Sequence, residues 1–190
     1  MIVTYLLPLA LGISLSACCG FRIFIPMLVA AIASKFGWLP LSSGFEWLGT
    51  YTAIIAFGVA AILETLGYYI PLVDNFLDAL ATPAAVIAGT LLSASVFIEF
   101  DPMLKWTVAL IAGGGTAGVI QAGTGFLRLG STKLTAGTGN HVLATAENIF
   151  SLSGTVMALI LPLLMCAIVV FGVFVVLYLM LRKVGRLKTS

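Results

Sequence analysis

Apolar residues run almost unbroken over Ile2–Ser34, Trp47–Tyr69, Pro83–Ile98, Thr107–Leu127 and Asn148–Leu181. A membrane-crossing helix needs about 20 such residues to span about 30 Å. The first run would reach about 50 Å as one straight helix, so it must tilt, project or break. Gly20 and Pro26 bracket Arg22 and make that neighbourhood the natural place for a kink or an unwound turn. The last run holds 34 uncharged residues, too many for one comfortable crossing. Pro162 divides it into helices over about 142–161 and 163–181. The pattern therefore predicts six spans. Five or seven result if the first run is a re-entrant hairpin.

The polar intervals refine this picture. Lys35–Glu46 is a loop with Trp38, Pro40 and Gly44, and Trp47 follows it. Tryptophan on both sides of a short polar connection marks a membrane interface. Pro71 ends the second span, and Val73–Leu80 predicts a short interfacial helix with Asp74 and Asp78 on one face. The third span ends at Glu99-Phe-Asp-Pro102, and Lys105-Trp106 restarts the chain at an interface. In the fourth span Gly114, Gly118 and Ala122 recur every four residues, a face on which another backbone can approach closely. Arg128–Asn140 reads as a loose polar loop, with Asn140 capping the helix that carries His141 and Glu147. With both termini on the cytoplasmic side, Arg128, Lys133, Arg182, Lys183, Arg186 and Lys188 face inward. Lys35 and Lys105 face outward, as the positive-inside rule prefers.

Composition fixes the solvent. The chain has 190 residues, 61% hydrophobic and 8% charged, with a mean hydropathy of +1.19. Soluble domains carry about 25% charge, so a lipid bilayer is the expected partner. The net charge is only +2, and no basic run is interleaved with aromatics, which argues against nucleic acid. Cys18, Cys19 and Cys166 lie in apolar runs and read as buried small hydrophobes, since adjacent cysteines bridge only with strain. Leu15-Ser-Ala-Cys18 imitates a lipoprotein cleavage box, but no Lys or Arg precedes Arg22 to form a charged leader. Residues 1–34 are therefore expected to belong to the mature protein.

An internal echo is visible. Gly20-Phe-Arg22, a loop and Glu46 are followed about a hundred residues later by Gly125-Phe-Leu-Arg128, a loop and Glu147. Three spans per half would orient the halves oppositely, as in transporters built from inverted repeats with broken helices. The expected fold is an all-α integral membrane protein of about six helices. Its three-span repeats would divide as 1–102 and 103–190.

Ala17-Cys-Cys-Gly-Phe-Arg-Ile-Phe-Ile-Pro26 resembles the Ala-Cys-Gly-Leu-Arg-Ala-Phe-x-Pro signature of a bacterial membrane family, domain of unknown function 4126. Gly44-Phe-Glu-Trp47, Ile70-Pro-Leu-Val-Asp74 with Asp78, and Ser131-Thr132 through Gly139-Asn140 to Glu147 are similar to it as well. The chain departs from the pattern in its second cysteine and in His141, where the family would have proline. That departure weakens a catalytic role for His141. The resemblance implies a fold and a bacterial inner-membrane location, and brings no activity with it.

The candidate chemistry centres on Arg22. A guanidinium cannot shed its charge, and in a bilayer it costs roughly 2.5–3.5 kcal/mol even on lenient scales. It either binds an anion or anionic lipid headgroup, helped by N–H groups freed at the helix break, or forms a structural pair with Glu64 or Glu46. Gly20, Gly118, Gln121 and Arg128 are the further substrate-binding candidates. Glu64, Asp74, Asp78, Glu46 and Glu147 are candidates for coupling or ion pairing. Arg128 and Lys133 also suit a surface role as topology determinants, and Asp74 with Asp78 a solvated face or a contact between halves. One histidine and cysteines without metal-ligand spacing make no metal site, and no catalytic motif or cofactor signature is present. The expected function is a small transporter or channel, with a homodimer plausible. The rival is a non-transporting scaffold or accessory subunit in which Arg22 is a buried strut.

Overall fold

A computed structural model describes residues 2–135 and 138–188. Within these, the side chains of residues 2, 3, 71, 72, 75, 180, 181 and 183–188 are set aside. The described residues are helical or in short connections. The helices are α1 (Ile2–Cys19), α2 (Phe24–Lys35), α3 (Tyr51–Gly67), α4 (Pro71–Val96), α5 (Pro102–Val108), α6 (Gly115–Thr135), α7 (Asn140–Ile160) and α8 (Pro162–Lys188). A π-helical stretch, Ala109–Gly114, joins α5 to α6 without a break. Four segments are long and apolar enough to cross a membrane: Phe76–Val96, Pro102–Thr135, Asn140–Ile160 and Pro162–Leu179. Thr4–Cys19, Phe24–Lys35 and Tyr51–Gly67 are shorter apolar helices. Six comparable spans therefore give way to four long helices and three short ones.

Part of the shortfall is α3, with 17 residues; the rest arises because the first apolar run folds back on itself. The Tyr5 ring of α1 lies 5.3 Å from that of Phe100. Beyond α2, Ser42 N donates to the carbonyl of Ser95 at 2.7 Å, and Lys105 Nζ donates to Ser42 Oγ at 2.8 Å. The beginning of α1 and the end of α2 thus share one end of the bundle, and the turn between them at Gly20–Ile23 points toward the other. Of the two sequence alternatives, the hairpin is observed. All three tryptophans gather at the shared end, where Trp106 lies 6.0 Å from Phe45 and Trp38 stacks on Phe36. Such a girdle suits an aromatic interfacial belt.

A second hairpin opposes the first. α7 rises from the other end and stops at Leu161, and Pro162, which lacks an N–H, opens α8. Ser14 Oγ in α1 contacts the Pro162 carbonyl at 3.4 Å, so this tip ends inside the bundle. α8 then runs back beside Ala17 and Ile120, through Val169, to Val176 against Gly123. Consequently α1 begins at the tryptophan end while α8 heads for the opposite end.

Two further boundaries differ from expectation. Val73–Leu80 forms no separate interfacial helix but the first turns of α4, which continues through Pro83. Proline sacrifices one intrahelical hydrogen bond there, and packing along the rest of α4 sustains the helix. The loop expected over Arg128–Asn140 shrinks because α6 continues to Thr135. Gly139, not Asn140, precedes α7 as its cap residue, and Asn140 Nδ2 instead donates to Thr132 Oγ1 at 3.0 Å.

Small residues set the core. A Cβ on Gly20 would fall 2.6 Å from the Ala117 carbonyl and the Ile120 side chain, and one on Gly89 would fall 2.7 Å from Ala117 Cβ. A Cβ on Gly118 would meet Val86 at 2.9 Å. Where backbones approach this closely, hydroxyls bridge them: Ser16 Oγ donates to the Gly89 carbonyl at 2.5 Å, and Ser93 Oγ to that of Gly12 at 2.9 Å. The predicted Gly114/Gly118 face packs on α4 as the small-residue rule requires. Matching stripes on α1 and the turn that follows it (Gly12, Ser16, Gly20) and on α4 (Ala85, Gly89, Ser93) have the same spacing and were equally legible in the sequence.

Candidate functional site

The hairpin tip of α1 and α2 carries Arg22 into a buried charged network at the end of the bundle away from the tryptophans. Arg22 is 1% exposed. Its Nη2 lies 3.1 Å from Glu147 Oε2 and 3.1 Å from the Ala144 carbonyl, and its Nε donates to Asn148 Oδ1 at 2.6 Å. All three partners belong to α7. From α6, Arg128 grips the same carboxylate from a second direction. Its Nε donates to Glu147 Oε1 at 3.1 Å, its Nη2 donates to Oε2, and its Nη1 donates to Asp74 Oδ1 at 2.5 Å. This fork-to-fork pairing is the strongest geometry available to arginine and carboxylate. Both guanidinium groups also sit over the Tyr68 ring, at 3.8 Å and 4.2 Å from its centroid. Planar, weakly hydrated cations favour such stacking.

Glu64 has a different task from the one expected. Its Oε1 and Oε2 accept the backbone N–H groups of Ile23 and Phe24, at 2.8 Å and 3.0 Å. These are orphan donors at the start of α2, where Ile23 offers no side-chain cap. A carboxylate there also meets the positive end of the helix dipole. Glu64 therefore holds the hairpin turn, and Glu147 is the partner of Arg22. Glu46 is exposed near the tryptophan end and accepts from Gly44 N at 2.9 Å, far from the network.

The remaining candidates divide in two. Arg128, Asp74 and Asp78 come together with Arg22, although the sequence equally allowed a surface role for each. Arg128 is 2% exposed, within the network rather than on a solvated surface, whereas Lys133 is exposed. Gly20 and Gly118 are helix contacts rather than lining. His141 is exposed and stacks on Tyr69 with ring centroids 5.8 Å apart. Sequence reasoning passed over Tyr68 and Asn148. Asn148 directly follows Glu147, a weak signal, while a tyrosine in an apolar run gives none. Cys18 and Cys19 are buried, and all three cysteines are free. Among the described residues, no group of three or more His, Cys, Asp or Glu could hold a metal ion.

The charges do not cancel. Two arginines face four carboxylates: Glu147, Asp74, Glu64 and Asp78. Glu147 and Asp74 are taken by the arginines, and Glu64 by backbone donors. Asp78 is left at the margin with its side chain 29% exposed; its enclosed Oδ1 lies 3.8 Å from Arg128 Nη1 and makes no hydrogen bond. Beside it, between α4 and α6, opens a cleft of about 190 Å³ lined by Asp78, Thr82, Gln121, Ala122, Gly125, Phe126 and Leu129.

Apolar helices of membrane-crossing length, hairpins that end within the bundle and a buried arginine–carboxylate network define a membrane-type helical protein with a charged centre at one end. The sequence profile of the family described as Domain of unknown function (DUF4126) matches residues 9–183, and the chain belongs to that family. No curated protein and no solved structure was found to match it.

Proposed function

We propose that the protein is a small transporter of the bacterial inner membrane, in which the Arg22–Glu147–Arg128 network locks two opposed helical hairpins and a solute passes the cleft at Asp78. The observation that carries this is the meeting of that network, at a helix break, with an open cleft lined by Asp78, whose Oδ1 makes no hydrogen bond. Intramembrane ionisable groups are costly, and they commonly mark solute or ion pathways. Broken helices at such a centre recur in transporters. Support for two related halves, 1–102 and 103–190, comes from the convergence of Arg22 and Arg128 on one glutamate. Glu46 and Glu147 do not correspond in space, so the relation is confined to the arginines. A homodimer belongs to the same proposal, since the α8 window is only 6% buried within one copy.

The solute class shifts relative to the sequence expectation. An anion at Arg22 would have to displace Glu147 and Asn148 in a site with a carboxylate surplus. The cleft instead offers acceptors, which suit a cation. The scaffold alternative draws its support from the same enclosure of Arg22, which then acts as a strut. The two are separated by flux. In proteoliposomes under an imposed pH or monovalent-cation gradient, the transporter dissipates the gradient, and Asp78→Asn slows it at least about tenfold. Gradients unaffected by correctly inserted wild-type protein would leave the scaffold standing.

A further inference from the structure

We propose that the cleft between α4 and α6 binds a primary alkylammonium group, with Asp78 as its charged acceptor and Gln121 and Thr82 as neutral ones. This deepens the transporter proposal by naming the chemistry of the solute, and it is tested by binding, independently of flux.

Two observations carry it. Asp78 lines the cleft with its side chain 29% exposed, and its Oδ1 makes no hydrogen bond and only a long 3.8 Å ion pair with Arg128 Nη1, so it is the one carboxylate of the network left without a strong partner. Gln121 is only 6% exposed, lines the cleft and makes no side-chain hydrogen bond among the described residues. Polar groups taken out of bulk water are normally satisfied, because an unmade hydrogen bond leaves the group's desolvation uncompensated. A carboxylate and an amide left without hydrogen bonds on one cleft suggest that a ligand supplies donors there.

The shape selects the ligand. Thr82 lies one turn beyond Asp78 on α4, so carboxylate, hydroxyl and amide oxygens together offer three acceptors. An ammonium presents three donors. Phe126 and Leu129 form an apolar wall suited to its carbon stem. The cleft is several times the roughly 30 Å³ share of a water molecule, so a bare alkali ion would leave much of it empty. Its space depends on Gly125, where a Cβ would meet nothing within 4 Å. An anion would meet the surplus negative charge. The ammonium could belong to a free small amine or to the aminoethyl headgroup of a lipid. Both present the same donors.

The test is calorimetric titration and thermal unfolding of the full-length protein in detergent. Ethanolamine is compared with tetramethylammonium and sodium chloride at matched ionic strength. Expected are binding and a raised melting temperature with ethanolamine alone. Asp78→Asn should weaken its affinity at least about tenfold, the scale of a lost charge-assisted hydrogen bond. Gly125→Leu should do the same by filling the cleft, in a place where nothing resists the added side chain. In nanodiscs, stabilisation by phosphatidylethanolamine beyond phosphatidylcholine assigns the group to lipid, and stabilisation by ethanolamine alone assigns it to a free amine. Equal effects of all three salts, or unchanged affinity in a folded Gly125→Leu protein, would overturn the proposal. Binding without flux would preserve it while removing transport. Flux with no amine binding would do the reverse.

Discussion

Arg22 and Arg128 share Glu147, and each also has a neighbour of its own: Asn148 for Arg22 and Asp74 for Arg128. Removing one member therefore strands charge in a site where water cannot answer it. Arg22→Gln should lower stability by about 3–5 kcal/mol, the usual result of breaking a buried pair from one side. Unfolding in mixed micelles followed by circular dichroism would read that loss. Arg22→Lys should rescue little, because an ammonium reproduces neither the fork nor the stacking on Tyr68. A stable Arg22→Gln protein would show that the network is not what holds the hairpin tip.

At the scale of the element, the α1–α2 hairpin depends on a cap donated from elsewhere. α2 begins with no side-chain cap of its own, and Glu64 of α3 closes its first two N–H groups. Glu64→Ala should cost about 1–3 kcal/mol for each orphaned donor, whereas Glu64→Gln keeps one acceptor and should lose about half as much. Hydrogen exchange along α2 would report the difference as faster exchange at Ile23 and Phe24. A change confined to flux, with exchange untouched, would instead return Glu64 to a coupling role. The glycines act at this scale too, since Gly20, Gly89 and Gly118 bring α1, α4 and α6 together so closely that hydroxyls bridge their backbones.

For the whole molecule, α1 begins at the tryptophan end of the bundle while α8 heads for the other end, which predicts that the two ends of the chain face opposite sides of the membrane. Cysteines introduced at Thr4 and Arg182, in a protein lacking Cys18, Cys19 and Cys166, should react with an impermeant thiol reagent from opposite faces of sealed vesicles. Labelling of both from one face would restore the six-crossing topology.

Much of this was legible in the chain. The apolar runs, the break between Gly20 and Pro26, the divider at Pro162 and the close-packing face of α6 all follow from local chemistry. Side-chain polarity, glycine spacing and the missing proline N–H act within a few residues of themselves. A buried Arg22 follows as well, since a charge inside an apolar run must find protein or water. Its partner did not follow, because Glu64, Glu46 and Glu147 are equal as letters. Only the direction in which α2 returns brings Arg22 against α7 and leaves Glu64 beneath two backbone amides. Likewise Asp74 reads as a solvated residue until α6 continues far enough to set Arg128 beside it. The sequence by itself determined what must be buried and where helices must stop. The tertiary structure decided which charges meet and which oxygen is left without a hydrogen bond, because those depend on how helices distant in the chain cross.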